Sequence, residues 1–138
     1  MASSTGAATT STHRRILHAG SVGMLIGGAL LIIGSITPWV STPLGNLSGM
    51  AGPGLWVLCG GTIAMAGALL PYRTLAILHA LLPAVLAGGL VLWQLAHLAH
   101  LSATTDSWGR MLPGIGLVFV VGGTVLLLRA AHRMRVAV

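Results

Sequence analysis

The sequence predicts an all-α integral membrane protein, a bundle of four hydrophobic helices built as two tandem helical hairpins. Three observations predict it. The 138 residues are 55% hydrophobic and only 6% charged, a balance that suits lipid rather than water as the solvent. Apolar runs on the scale of the roughly 20 residues that cross a hydrocarbon core are separated by Pro- and Gly-containing breaks. Arg14, Arg15, Arg73, Arg129, Arg133 and Arg135 fall at one set of run ends, and Arg110 alone falls at the other. The positive-inside rule reads this asymmetry as cytoplasmic amino and carboxyl termini.

Taken in order, residues 1–12 are small and hydroxylated with no apolar period, which predicts a disordered cytoplasmic tail ahead of a single domain over residues 13–138. The first span is expected at about residues 16–40. The Arg14-Arg15 pair resembles a twin-arginine export signal, but the apolar run is long and no small-residue cleavage site follows it. Thr37-Pro38 breaks or ends that helix, and the stretch from Ser41 to Gly54, with Pro43, Gly45, Asn46, Gly49, Gly52 and Pro53, has loop composition. It lacks the lysine and preceding strand of a phosphate-binding loop. The second span is expected at about 55–70, the turn Pro71-Tyr72-Arg73 follows, and the third span runs over about 74–101. A polar loop leads to the fourth, at about 114–131. Trp39, Trp56, Trp93 and Trp108 stand towards the outer ends of these segments and Tyr72 at the inner edge, the placement of interfacial aromatic belts.

The two halves resemble one another. Ile16-Leu17-His18-Ala19 recurs as Ile77-Leu78-His79-Ala80, Gly27-Gly28 as Gly88-Gly89, Gly60-Gly61-Thr62 as Gly122-Gly123-Thr124, and Gly52-x-Gly54-Leu55 as Gly114-x-Gly116-Leu117. Such spacing implies a duplicated hairpin with a pseudo-twofold axis along the membrane normal.

Helix contacts are written in small residues, because apolar side chains gain nothing from leaving lipid for a neighbouring helix. Gly23 and Gly27 form such a face on the first span, Gly60, Ala64 and Ala68 on the second, and Ala76, Ala80, Ala84 and Gly88 on the third. Pro83 is expected to kink the third span. Cys59, the one cysteine, lies in an apolar run and is expected to serve packing; alone, it forms no disulfide within the chain.

Residues able to carry chemistry are few. His18 and His79 occupy matching repeat positions near the cytoplasmic ends of their spans, which suits bis-imidazole ligation of a haem b or a metal ion. His97 and His100, with Asp106 in the following loop, form a second candidate metal set. No charge lies deep in any span, which disfavours proton-coupled transport. The net charge of +6 does not indicate nucleic acid, because the arginines mark segment ends rather than a surface patch.

Trp39, followed by Gly54-Leu55-Trp56 and Cys59, resembles the tryptophan, Gly-Leu-Trp and cysteine signature in the first extracellular segment of the claudin family. The resemblance covers about 20 residues. That family's segment is longer, folds as extracellular strands and uses two cysteines where this chain has one, so no membership follows. Arginine used to the exclusion of lysine, with abundant Ala and Gly, resembles the usage of high-GC bacteria.

These features lead to the expectation of a non-enzymatic protein of a bacterial cell membrane, an accessory, assembly or scaffold subunit whose partners are the lipid bilayer and other membrane subunits or a second copy. The alternatives are a haem or metal carrier through His18 and His79, and a small channel or lipid transporter component.

Overall fold

The computed structural model describes residues 20–137, so the amino-terminal tail, the start of the first span and His18 lie outside the described residues. The chain is mostly helical, with helices α1 (Ser21–Ile36), α2 (Gly54–Ala68), α3 (Arg73–Thr104) and α4 (Ile115–Val136). Of these, α3 and α4 are long and apolar enough to cross a membrane, while α1 as described and α2 are shorter apolar helices.

The fold departs from the all-α expectation between the helices. Instead of running to Val40, α1 stops at Ile36, because Pro38 has no N–H to continue the ladder. Thr37 closes the end, its hydroxyl donating to the carbonyls of Ile33 and Gly34 at 3.1 Å each. Strand β1 (Pro38–Thr42) then turns through Pro43 and Leu44 into β2 (Gly45–Ser48), and β3 (Leu112–Pro113) pairs with the other edge of β1. The result is a three-stranded antiparallel sheet in the order β2-β1-β3. Gly45, at φ +140°, supplies a turn conformation that side-chain-bearing residues rarely adopt. A short 3-10 turn at Gly49–Ala51 leads into α2.

The helices close into a ring in which α1 packs on α2 and α4, and α3 packs on α2 and α4. Glycines set the spacing. A Cβ placed on Gly28 would stand 2.8 Å from the carbonyl oxygen of Gly61 in α2, and one on Gly61 would stand 2.7 Å from that of Gly28. Gly27 and Gly123 of α4 face each other in the same reciprocal way, at 3.0 and 2.7 Å. One turn of α1 is therefore held between two backbones. The repeat counterpart in α3 is looser: a Cβ on Gly88 would only touch Thr124, and one on Gly89 would meet open space. Both Gly61 and Gly123 thus use α1, and the contacts do not copy the sequence repeat.

The core combines alanines with a few large side chains, among them Met24, Leu31, Val57, Val120 and Leu127. Ala64, Ala68, Ala76, Ala80, Ala84 and Ala87 are buried, while Val22, Leu82, Val85, Leu92 and Val118 are more than half exposed. Pro83 lies within an unbroken α3, its ring packed on Gly60, where an added Cβ would stand 3.3 Å away.

At its far end α3 stops on Asp106, whose φ of 50° is left-handed, with the Ser107 N–H returning to the Ser102 carbonyl at 3.1 Å. That is the closing bond of a Schellman cap, with aspartate where glycine is usual. At the opposite end the Arg73 guanidinium reaches across to α4. It donates to the carbonyls of Met134 and, at 3.0 Å, Arg135. Those carbonyls belong to the last turn of α4 and have no helical donor among the described residues, so a cation is well placed there.

Candidate functional site

The most tightly specified position is Trp39, which is 2% exposed. Proline at 38 leaves the Gly34 carbonyl without its helical donor, and the Trp39 indole Nε1–H supplies one at 2.7 Å. Two glycines make room for the ring: an added Cβ at Gly116 would stand 2.7 Å from Trp39 Cδ1, and one at Gly49 would collide with the indole nitrogen. The Trp39 carbonyl accepts from Gly114 N–H at 2.7 Å, which brings the entry to α4 against β1. One residue therefore fastens the sheet to α1, to the segment before α2 and to α4. The expectation that Trp39 belongs to an interfacial belt is corrected by this burial. Trp56, Trp93 and Trp108 do remain exposed, as does Tyr72.

Around this anchor lies a cleft of about 150 Å³ between the sheet and α3, lined by Trp39, Leu47, Gly49, Pro53 and Gln94 among others. The Gln94 side chain is half-buried there and makes no hydrogen bond among the described residues. Beyond the cleft the cap ends in exposed apolar residues: Leu44 is fully exposed, and Leu47 and Met50 are 56% and 43% exposed.

The histidines sit elsewhere. His79 is half-buried at the α2–α3 contact, its Cβ seated over Gly67 and its Nδ1 2.8 Å from the Leu75 carbonyl. A carbonyl only accepts, so Nδ1 donates, and Nε2 makes no hydrogen bond among the described residues. His18, its proposed partner, lies outside the described residues. His97 stacks on Trp93, with ring centroids 5.3 Å apart and planes 8° apart, on an exposed face of α3. His97, His100 and Asp106 are not gathered into a metal-holding group, and among the described residues no three His, Cys, Asp or Glu side chains form one. Asp106 instead has the backbone task of ending α3. Cys59 is exposed rather than packed, which corrects the reading from its apolar surroundings.

The small-residue faces turn inward. Gly23 approaches Ala130 of α4, where an added Cβ would lie 3.2 Å from the alanine Cβ, and Gly27 approaches Gly123. Ala64, Ala68, Ala76, Ala80 and Ala84 are core residues, and Gly60 accommodates Pro83. Only Gly88, half-buried, is loosely used. The strands were the main omission from the sequence reading. Their signal was Thr37-Pro38-Trp39, a proline four residues after a helical carbonyl followed by a residue able to replace the lost donor.

The site offers a rigid, hydrogen-bonded cap and an apolar tip. It brings together no acid with a base among the described residues, and the one acidic side chain, Asp106, stands apart in the turn after α3. Comparison with known proteins finds no family model, no curated relative and no solved structure that matches this chain.

Proposed function

We propose that the chain is a four-span protein of a bacterial cell membrane, with both ends on the cytoplasmic side, acting as a non-enzymatic accessory or assembly subunit of a larger membrane complex. Alanine-rich helix contacts with many large aliphatic side chains exposed on the outer faces are the arrangement expected of helices solvated by lipid. Trp93 stands twenty residues along α3 from Arg73, about 30 Å at ~1.5 Å per residue, which is the thickness of a hydrocarbon core. The rest of α3, with His97 and His100, then extends outside beside the cap. The ring order supports two tandem hairpins about an approximate twofold axis along the membrane normal.

The observation that carries the accessory role is the tip of the cap. Leu44 in the hairpin turn, Leu47 in β2 and Met50 in the 3-10 turn are exposed on a cap fixed by Trp39, and both outer strands, β2 and β3, have one unpaired edge. An apolar, rigidly held surface with open strand edges suits the outward face of another membrane subunit. Most of the small-residue faces are used within the chain, which leaves the cap as the docking surface favoured here.

The test is isolation at native expression in mild detergent, with and without Leu44→Asp and Leu47→Asp. A stoichiometric co-eluting membrane protein, lost in the double variant while helical content and elution of the chain are kept, is the expected result. A monodisperse chain migrating alone would sink the reading. The haem or metal reading through His18 and His79 draws support from the Nε2 of His79, which makes no hydrogen bond among the described residues, and a Soret band or stoichiometric metal in the same sample is what it requires.

A further inference from the structure

At the arginine-rich end of the α1–α4 seam lies a second cleft of about 150 Å³, lined by Gly20, Gly23, Leu126, Arg129, Ala130 and Arg133. Gly20 and Gly23 let α1 lie close against α4 there, where an added Cβ would stand 2.8 Å from Met134 Cγ and 3.2 Å from Ala130 Cβ respectively. Arg129 and Arg133 are four residues apart on α4 and so rise from the same helical face, one turn from each other. Neither makes a hydrogen bond or ion pair among the described residues, in contrast to Arg73, which is committed to the end of α4. The one acidic side chain, Asp106, lies beyond the opposite end of α3. Arg129 and Arg133 therefore line a notch that has no acidic side chain among the described residues.

The same seam becomes apolar as it leaves the arginines. Leu30 and Leu126 are half-buried and Ile26 is 51% exposed, while Gly122 leaves a shallow strip beside Leu30, where an added Cβ would stand 3.8 Å from Leu30 Cδ1. A cationic notch continuous with an apolar track matches the two parts of one molecule.

We infer that this notch binds the phosphate headgroup of an anionic phospholipid, with Arg129 and Arg133 on the phosphate oxygens and an acyl chain along Ile26, Leu30 and Leu126. The inference rests on the membrane reading above and goes beyond it by assigning a ligand and a site. Guanidinium groups suit this occupant because their planar donors match phosphate oxygens in pairs. Basic pockets between helices on the cytoplasmic side are where such headgroups bind.

The experiment is native mass spectrometry of the purified full chain in a neutral detergent, titrated with phosphatidylglycerol, with phosphatidylcholine, or with inorganic phosphate as competitor. Phosphatidylglycerol is expected to bind at least about tenfold more tightly than phosphatidylcholine, since each surface arginine adds about a factor of five. Arg129→Gln with Arg133→Gln removes the preference, and Arg135→Gln, at an arginine outside the notch, keeps it. Equal binding of the two lipids overturns the inference, as does an equal loss in the Arg135→Gln control, which would mark diffuse charge rather than a site. Displacement by millimolar phosphate would make the occupant a free anion and likewise overturn it. A chain that stays monomeric in buffer without detergent fails the membrane reading itself, whereas one that requires detergent but shows no lipid preference fails only this site.

Discussion

The indole N–H of Trp39 replaces the backbone donor that Pro38 takes away from Gly34, at 2.7 Å and in a buried position. Helix, strand and aromatic anchor thus follow from three consecutive residues. Trp39→Phe keeps the ring's bulk but removes the donor, leaving the Gly34 carbonyl with the Thr37 hydroxyl at 3.1 Å as its side-chain partner. The expected loss is about 1 kcal/mol, near the lower end of the range for an incompletely satisfied buried acceptor. It is read as a shift in the denaturant midpoint of the detergent-solubilised protein. Trp39→Ala, which also empties the space between Gly49 and Gly116, loses about 3 kcal/mol or more. Equal stability of all three proteins would show that the cap is not fastened through this residue.

A second prediction contrasts two glycines. Gly61 lies against the Gly28 backbone, and an added Cβ would stand 2.7 Å from that carbonyl, whereas Gly89 has nothing within 4 Å. Gly61→Ala forces α1 and α2 apart and is expected to cost about 1–3 kcal/mol, as overpacking does. Gly89→Ala is expected to be neutral or to stabilise by up to about 1 kcal/mol, because alanine surrenders less backbone entropy to the helix. Thermal unfolding of the pair decides it. The repeat alone would have α3 and α4 meet at Gly89 as α1 and α2 meet at Gly28, so equal destabilisation by the two changes would restore the symmetric packing that these contacts lack.

Much of the helical architecture was legible because hydrophobic run length and small-residue spacing act locally. The faces containing Gly27, Ala64 and Ala80 could be read from four-residue spacing, and they do point inward. The sheet was not legible in the same way. Proline and glycine between Pro43 and Gly54 mark a turn equally well in a loop and in a hairpin, and β3 contributes two residues whose pairing depends on α4 returning beside β1. Sites were harder still. His97 and His100 share helical spacing, but whether Asp106 joins them depends on how α3 terminates, and its left-handed φ is a property of the folded turn. Cys59 illustrates the same limit, since an apolar neighbourhood in sequence does not fix which face of α2 a residue occupies.

The third prediction concerns that turn. At φ 50°, Asp106 occupies the position after the α3 cap that glycine fills most comfortably. Asp106→Gly is expected to leave stability within about 1 kcal/mol of the parent, and Asp106→Val to lower it by about 1–2 kcal/mol through the left-handed backbone. Neither change should alter metal content measured on the purified protein. A metal stoichiometry that falls with Asp106→Gly would instead revive Asp106 as a ligand.

The cross-helix cap made by Arg73 leads to a prediction about local rather than global stability. Its guanidinium holds the Met134 and Arg135 carbonyls at the negative end of the α4 dipole, while standing at the positive end of its own helix. The second placement is unfavourable, so the gain comes from the crossing contact, and an exposed charge there is worth about 0.3–1 kcal/mol. Arg73→Gln should therefore raise hydrogen exchange of the last amides of α4 by about two- to fivefold while leaving those near Gly123 unchanged. Added salt should narrow the difference, because the parent loses part of an electrostatic contact that the variant never makes. Lysine at the same position should recover only part of the protection, since one ammonium cannot reproduce a planar fork reaching two carbonyls. Exchange at the end of α4 that ignores the substitution would mean the helix is held by its packing on α1 and α3 alone.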